Sequence, residues 1–239
     1  MPRPFETIDT VDTGAGRLEL LRRDTDDWLI TIDRRVLMSS RLHRSEVALA
    51  ELACRPLAAA AQPRVLIAGL GMGYTLRAAL DVLPADAVVI AAEIDPTVAA
   101  WNRGPLASLS SNALDDARTR LEIVDVSVLI ANAARAADTD RFDAIVLDLF
   151  EGPYPPPAGT EDTLFGPAAL ARTRAALRPG GSLAVWSEGP VASFETRLES
   201  CGFRAELHRP RHKGPRHVVY LAWPAAPKFT ATRGRRSRR

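Results

Sequence analysis

The chain has 239 residues, enough for one large α/β domain with a small appendage but not for two full domains. Hydrophobic residues make up 46% of it and charged residues 25%, ordinary globular values that disfavour a wholly disordered chain or a coiled coil. The net charge is only +2, no run approaches the roughly 18 apolar residues of a membrane span, and the first residues lack the apolar core of a secretory signal, so we expect a cytoplasmic protein.

The N-terminal part, residues 1–44, predicts a small antiparallel β unit. Apolar-rich runs at 17–21 and 28–32 are separated by the polar segment 22–27, a spacing typical of a hairpin. From Ser45 onward an alanine- and leucine-rich segment shows helical periodicity. We therefore expect a second unit to begin at this point.

Residues 45–224 alternate strand and helix patterns. Short apolar runs that predict buried strands lie at 65–68, 88–92, 121–124, 143–148 and 181–186. Because helical stretches separate these runs, they imply a parallel sheet covered by helices. Two further runs, 203–207 and 217–223, flank a loop rich in Pro, Arg and Gly and predict a closing antiparallel hairpin. The predicted fold class is α/β, with a Rossmann-like, mostly parallel sheet and an N-terminal β unit.

A glycine turn, Gly69-Leu70-Gly71-Met72-Gly73-Tyr74, follows the first of these strands. Glycines let the backbone approach a ligand closely, and the helix N-terminus that follows favours polar or anionic groups. Tyr74 stands where a dinucleotide fingerprint requires Gly or Ala. The spacing instead resembles the nucleoside-binding turn of S-adenosylmethionine-dependent transferases. A turn that only packs the helix on the strand is the alternative interpretation.

Acidic residues follow the next two predicted strands. Glu93 lies 22 positions after Gly71, where a carboxylate can accept hydrogen bonds from both hydroxyls of a ribose. Asp95, followed by a proline, fits the N-cap of a helix. Asp125 fits either a ligand contact at the edge of the sheet or the N-cap of a helix that begins near Ser127, and both interpretations stay open.

A fourth motif, Asp148-Leu149-Phe150-Glu151-Gly152-Pro153, ends the strand at 143–148. Asp148 is expected to project into the same crevice as Gly71 and Glu93. The Pro- and Gly-rich run at 154–160 is a candidate lid. A surface loop with a capping aspartate is the alternative.

The order of these motifs is similar to that of the polyamine aminopropyltransferases, the spermidine synthase family, over about residues 15–223. The resemblance implies the class I S-adenosylmethionine-dependent methyltransferase fold and a decarboxylated S-adenosylmethionine donor, with Glu93 on the ribose and Asp125 near the adenine amine. It also implies that Asp148 orients and deprotonates an acceptor amine, with Glu151 as a second catalytic acid. The predicted donor site comprises Gly69, Gly71, Met72, Gly73, Glu93, Ile94, Asp125 and Val126.

Two positions depart from the family pattern. Met72 stands where an Asp usually holds the donor's ammonium, and Glu151 stands where the lid motif usually has an Asp. We expect the Met72 side chain to lie near the end of the donor's amino-acid arm. Aminopropyl transfer to a small amine is therefore the first hypothesis, and methyl transfer from S-adenosylmethionine, which Met72 favours, is the second. The acceptor stays unidentified, and a homodimer is possible.

The end of the chain, residues 225–239, predicts a basic disordered tail. Residues 228–239 carry six basic residues and no acidic one, which leaves 25 basic against 29 acidic residues in the rest of the chain. Such a tail suggests a third hypothesis, a non-catalytic binding protein whose tail contacts nucleic acid, although a solvated tail is the simpler interpretation.

The chain has two cysteines and four histidines, which could in principle form a disulfide or a metal site. Cys54 and Cys201 have no CxxC partner, which argues against a disulfide framework and places both in the expected core. The histidines show no metal-ligand spacing, so we assign no metal.

Overall fold

The N-terminal part of the chain forms a four-stranded antiparallel sheet in the order β1-β2-β3-β4. The computed structural model describes residues 3–150, 152–155, 162–210 and 216–226. The strands of the N-terminal sheet are β1 (Glu6–Thr13), β2 (Gly16–Arg23), β3 (Asp27–Ile32) and β4 (Arg35–Ser39). The predicted hairpin corresponds to β2 and β3, and the sequence prediction missed the two outer strands.

The missed strands have physical explanations in their local sequences. The β1 segment is rich in Thr, Asp and Glu, and each of its residues is exposed or only half-buried, so it lacks a clear apolar alternation. The turn into β4 is formed by Asp33 and Arg34, both with positive φ (46° and 68°), without the glycine that usually marks such a turn. Both strands are therefore defined by pairing with their neighbours rather than by their own composition.

The second sheet has seven strands in the order β10-β11-β9-β8-β5-β6-β7. Its strands are β5 (Arg64–Ala68), β6 (Val88–Glu93), β7 (Thr119–Ile123), β8 (Phe142–Leu147), β9 (Leu177–Ser187), β10 (Phe203–His208) and β11 (Val218–Pro224). Strands β5 to β9 run parallel, and β11 pairs antiparallel with both β9 and β10. The predicted fold class, including the C-terminal hairpin, is confirmed.

In the part of the chain that the structure describes, six α-helices pack on the large sheet. They are α1 (Arg44–Cys54), α2 (Tyr74–Val82), α3 (Pro96–Arg103), α4 (Val126–Arg135), α5 (Pro167–Ala176) and α6 (Ala192–Ser200). The first three share one buried apolar cluster with the N-terminal sheet, and the last three share a second cluster on the opposite face. The seven-stranded sheet therefore has a helical layer on each side.

The core of the N-terminal sheet is continuous with that of α1 to α3. Leu20 and Leu49 are fully buried, and Trp28 and Ile30 are almost so, in one cluster. The division into units 1–44, 45–224 and 225–239 stays a prediction. Residues 227–239, most of the predicted tail, lie outside the described residues.

The two cysteines differ in environment. Both are free thiols, but Cys54 is buried whereas Cys201 is only half-buried, so the expected core location holds for Cys54 alone. In the part of the chain that the structure describes, every helix is too short or too polar to cross a membrane.

Candidate active site

A cavity of about 380 Å³ lies between the N-terminal sheet and the carboxyl edge of the large sheet. Leu18, Ile30 and Met38 line it from the N-terminal sheet, and Gly69 and Gly71 line it from the turn after β5. Strands β5 and β8 are neighbours here, where the order of the parallel strands reverses. Open α/β sheets bind their ligands at such a switch point, so this cavity is the candidate active site.

The glycine turn brings the ends of β5 and β8 into contact. Gly69 has a φ of +86°, and a Cβ at this position would collide with the carbonyl oxygen of Asp148. Gly71 has a φ of +52°, and a Cβ there would lie 2.6 Å from the Sδ of Met38. Both positions combine a left-handed backbone with close packing, which only glycine tolerates without strain.

Glu93 is fixed at the end of β6 by backbone donors from two loops. Its Oε2 accepts the N–H of Leu70 at 3.0 Å, and its Oε1 accepts the N–H of Asp95 at 2.9 Å. The side chain is 8% exposed and lines the cavity. Each carboxylate oxygen has more than one acceptor position, so this orientation leaves acceptor capacity for the hydroxyls of a ligand.

Asp148 follows β8 and lies in the cavity wall. The hydroxyl of Thr75, in the first turn of α2, donates a hydrogen bond to its Oδ2. Burial and the neighbouring Glu46 carboxylate raise the pKa of Asp148 to about 7, although the Thr75 hydrogen bond opposes the shift. A carboxyl group whose pKa lies near neutral pH can accept and release a proton under physiological conditions.

Glu46 is a site residue that the sequence analysis missed. It lies in the first turn of α1, is 6% exposed and lines the cavity. Its Oε2 accepts the Ser45 hydroxyl at 2.6 Å, and Ser45 Oγ lies 2.9 Å from Nδ1 of His217. The sequence does carry a signal for Glu46: its helical spacing puts this acid on the same face of α1 as the buried Leu49 and Ala50.

Two apolar side chains at the cavity rim are unusually exposed. Ile94, a predicted donor-site residue, is 69% exposed, and Phe150 is 39% exposed. The Arg35 guanidinium stacks 4.3 Å above the Phe150 ring and lies 3.8 Å from the Glu188 carboxylate. These contacts connect β4 to the loops after β8 and β9 at the cavity mouth.

The structure does not place every predicted donor residue in the cavity wall. Met72 is fully buried in the core, where its N–H contacts the Sδ of Met38 at 3.0 Å, so the expectation that its side chain lies near a ligand's arm does not match its position. The wall also leaves out Gly73, which has a φ of +78° and precedes α2. The left-handed glycines on both sides turn this part of the loop toward the core.

The residues predicted around the adenine lie at the start of α4. Asp125 is exposed, and its Oδ1 accepts the N–H of Ser127 at 2.8 Å. This contact makes Asp125 the N-cap of α4, one of the two roles that the sequence left open. Val126 is 5% exposed in the second core cluster. Asp95 likewise caps α3, as predicted. Glu151 and the lid residues 156–160 lie outside the described residues.

No protein-family model matches the chain, but polyamine aminopropyltransferases from several organisms are similar to it. The protein from Prochlorococcus marinus (strain MIT 9313) is 34% identical over 148 residues, 60% of this chain and 47% of that protein. The one from Ruegeria sp. (strain TM1040) is 36% identical over 117 residues, 49% of this chain and 39% of that protein. The one from Pyrobaculum calidifontis is 32% identical over 155 residues, 63% of this chain and 47% of that protein.

Solved structures show the same fold. The spermidine synthase from Thermotoga maritima superposes with a TM-score of 0.71 at 18% identity, over 95% of this chain and 81% of that one. A spermidine synthase in complex with the transition-state analogue AdoDATO gives a TM-score of 0.69 at 18% identity, with the same coverage. These matches confirm the resemblance to the spermidine synthase family, although the chain spans less than half the length of the curated relatives it matches.

Proposed function

We propose that this protein is a transferase of the spermidine synthase type, which moves the aminopropyl group of decarboxylated S-adenosylmethionine to a small amine. The observation that carries the proposal is that Asp148, whose pKa lies near 7, lines the same cavity as Glu93, whose carboxylate is placed to accept hydrogen bonds from ribose hydroxyls. The similarity to named polyamine aminopropyltransferases supports the same reaction.

The donor would bind along the glycine turn and the end of β6. The Glu93 carboxylate, already oriented by two backbone N–H groups, would accept the ribose hydroxyls. The exposed Ile94 side chain offers an apolar surface for the flat base. When bound, the donor supplies an electrophilic carbon beside a sulfonium: the amine nitrogen bonds to this carbon, the C–S bond breaks, and its electron pair stays on sulfur.

Asp148 would take the proton of the attacking amine. A primary amine with a pKa of about 10.4 is mostly protonated at neutral pH, and deprotonation at pH 7 costs roughly 4.6 kcal/mol. The hydrogen bond from Thr75 holds one carboxylate oxygen of Asp148 and leaves the other to receive the proton. Asp148 thus serves as the general base.

Methyl transfer from S-adenosylmethionine is the second candidate function. The observation that favours it is the composition of the glycine turn, because residues 69–74 contribute no carboxylate to the cavity that would select a lone ammonium over the ammonium and carboxylate pair of S-adenosylmethionine. The sulfonium chemistry is the same, and only the transferred group differs.

Product masses distinguish these reactions. Purified protein incubated with either donor and a panel of small amines should yield aminopropylated amines with the decarboxylated donor. Asp148→Asn should lower turnover by about 100-fold or more, because a positioned base contributes that much to the rate, while affinity for the adenosyl part of the donor, measured with methylthioadenosine, stays within a few-fold. Methylated amines with S-adenosylmethionine would indicate the second function, and no product from either donor would refute both.

A further inference from the structure

Glu46 and Asp148 are two acidic side chains in the wall of one cavity, from α1 and from the end of β8. We infer that Glu46 and Asp148 together bind a primary ammonium group of an amine substrate, with Glu46 as the residue that makes the site selective for a cation. This inference rests on the proposed function, and it assigns Glu46 a role in substrate recognition.

The two carboxyl groups lack a cationic partner in the part of the chain that the structure describes. Its ion pairs use other acids, such as Asp27, Asp116 and Asp143, and none of them includes Glu46 or Asp148. Glu46 is 6% exposed and influences the Asp148 carboxyl electrostatically. A buried acid such as Glu46 requires paired charge or protonation, and the half-buried Asp148 lies in the same wall, so a ligand that brings a positive charge would be stabilised between them.

The local hydrogen bonds leave oxygen atoms for such a ligand. Among the described residues, Ser45 donates to one oxygen of Glu46 and Thr75 donates to one oxygen of Asp148. The second oxygen of each carboxyl group receives no hydrogen bond from these residues. An ammonium group carries three N–H donors, which is enough for a hydrogen bond to each of the two free oxygens.

The rest of the wall favours an organic cation over a metal ion. Leu18, Ile30 and Trp186 line the same cavity and provide apolar surface for an alkyl chain. A hard divalent cation needs about six oxygen ligands, and the described residues include no group of three or more His, Cys, Asp or Glu side chains arranged to hold a metal. An alkylammonium group therefore fits this wall better.

The ammonium can belong to the donor's aminopropyl arm or to the acceptor amine, and the two sources can be separated. We would compare Glu46→Gln with wild type by calorimetry, using decarboxylated S-adenosylmethionine and methylthioadenosine, the thioether nucleoside that lacks the aminopropyl arm. The KM for 1,4-diaminobutane would be measured in parallel. Glu51→Gln is the matched control, because Glu51 lies on the same helix, pairs with Arg55 and has a 38% exposed side chain.

In Glu46→Gln we expect the affinity for methylthioadenosine to stay unchanged. The affinity for one of the two cationic ligands should fall by about tenfold or more. Weaker binding of the decarboxylated donor assigns the site to the donor's ammonium, and a higher KM for the diamine assigns it to the acceptor. Glu46→Asp should recover part of the loss, and Glu51→Gln should show none.

Two results would overturn the inference: unchanged affinity for every cationic ligand, or an equal loss for methylthioadenosine, which would make Glu46 structural. If Glu46→Gln does not fold, wild-type protein that binds 1,4-butanediol as well as 1,4-diaminobutane would also overturn it. The proposed function fails separately, when wild type binds neither adenosyl ligand. In that case a diamine affinity lowered in Glu46→Gln would still establish the ammonium site.

Discussion

Asp148 shows how a single residue can lower stability while it prepares a site for chemistry. The pKa of its carboxyl is raised to about 7 in the folded protein, because the half-buried side chain is partly desolvated and lies near Glu46, whereas an aspartate in the unfolded chain has a pKa of about 4. Between these pH values the folded protein keeps the proton and the unfolded chain releases it. Rising pH therefore favours unfolding, by at most about 4 kcal/mol once the pH exceeds 7.

The first prediction follows from this linkage. Asp148→Asn should be more stable than wild type at about pH 8, and the advantage should shrink toward pH 4, where the carboxyl is neutral in both the folded and the unfolded state. Urea unfolding of both proteins at several pH values in this range measures the difference. A stability difference that does not change with pH would show that the Asp148 carboxyl titrates normally.

Met72 gives the second prediction. The side chain is fully buried and lies outside the cavity wall, so Met72→Asp would place an unpaired carboxylate in the core rather than beside a ligand. We expect a loss of roughly 3 kcal/mol or more in the free energy of unfolding, without a gain in preference for the decarboxylated donor. Thermal unfolding and donor titrations test this. A stable variant that prefers the decarboxylated donor would mean that the side chain reaches the ligand.

At the scale of elements, the sequence predicted those parts of the fold whose own composition determines them. The strands β5, β6 and β8 are short apolar runs bounded by turns, and Glu93 and Asp148 could be placed in the site because each directly follows such a run. The contact of Met38 with the glycine turn depends on how two sheets pack, and no local pattern encodes it. The direction of the Met72 side chain was unpredictable for the same reason.

The close approach of the β5 turn to the end of β8 leads to the third prediction. Gly69→Ala should destabilise the protein by more than Gly180→Ala, although both positions have similar positive φ values, +86° and +81°. A Cβ at 69 would meet the Asp148 carbonyl, whereas one at 180 would have no atom within 4 Å. Backbone strain alone costs roughly 1 kcal/mol, which is what we expect for Gly180→Ala.

Equilibrium unfolding of the two glycine variants separates strain from collision. Gly69→Ala should also lower turnover, because relief of the collision moves Asp148 and its carboxyl group. Equal destabilisation of the two variants, with full activity in Gly69→Ala, would show that the turn and the end of β8 are not tightly coupled.

At the scale of the whole molecule, the N-terminal sheet contributes both to the core and to the site. Leu18, Leu20, Trp28 and Ile30 are buried in the same cluster as α1 to α3. Burying each such side chain contributes about 1.5–3 kcal/mol, so the four together contribute on the order of 8 kcal/mol. This is similar to the total stability of a typical domain, about 5–15 kcal/mol.

The last prediction follows from this dual role. A chain that lacks residues 1–41 should not reach a cooperative folded state, because Leu49 and its neighbours in the cluster would lose their apolar cover. It should also fail to bind methylthioadenosine, since Met38 contacts the glycine turn and Leu18 and Ile30 line the cavity. Near-ultraviolet circular dichroism and calorimetry test the two consequences separately. A truncated chain that folds but does not bind the nucleoside would show that the N-terminal sheet is needed for the binding site but not for folding. A truncated chain that folds and binds would show that the large sheet alone holds the donor. The N-terminal sheet would then contribute only to the acceptor side of the cavity.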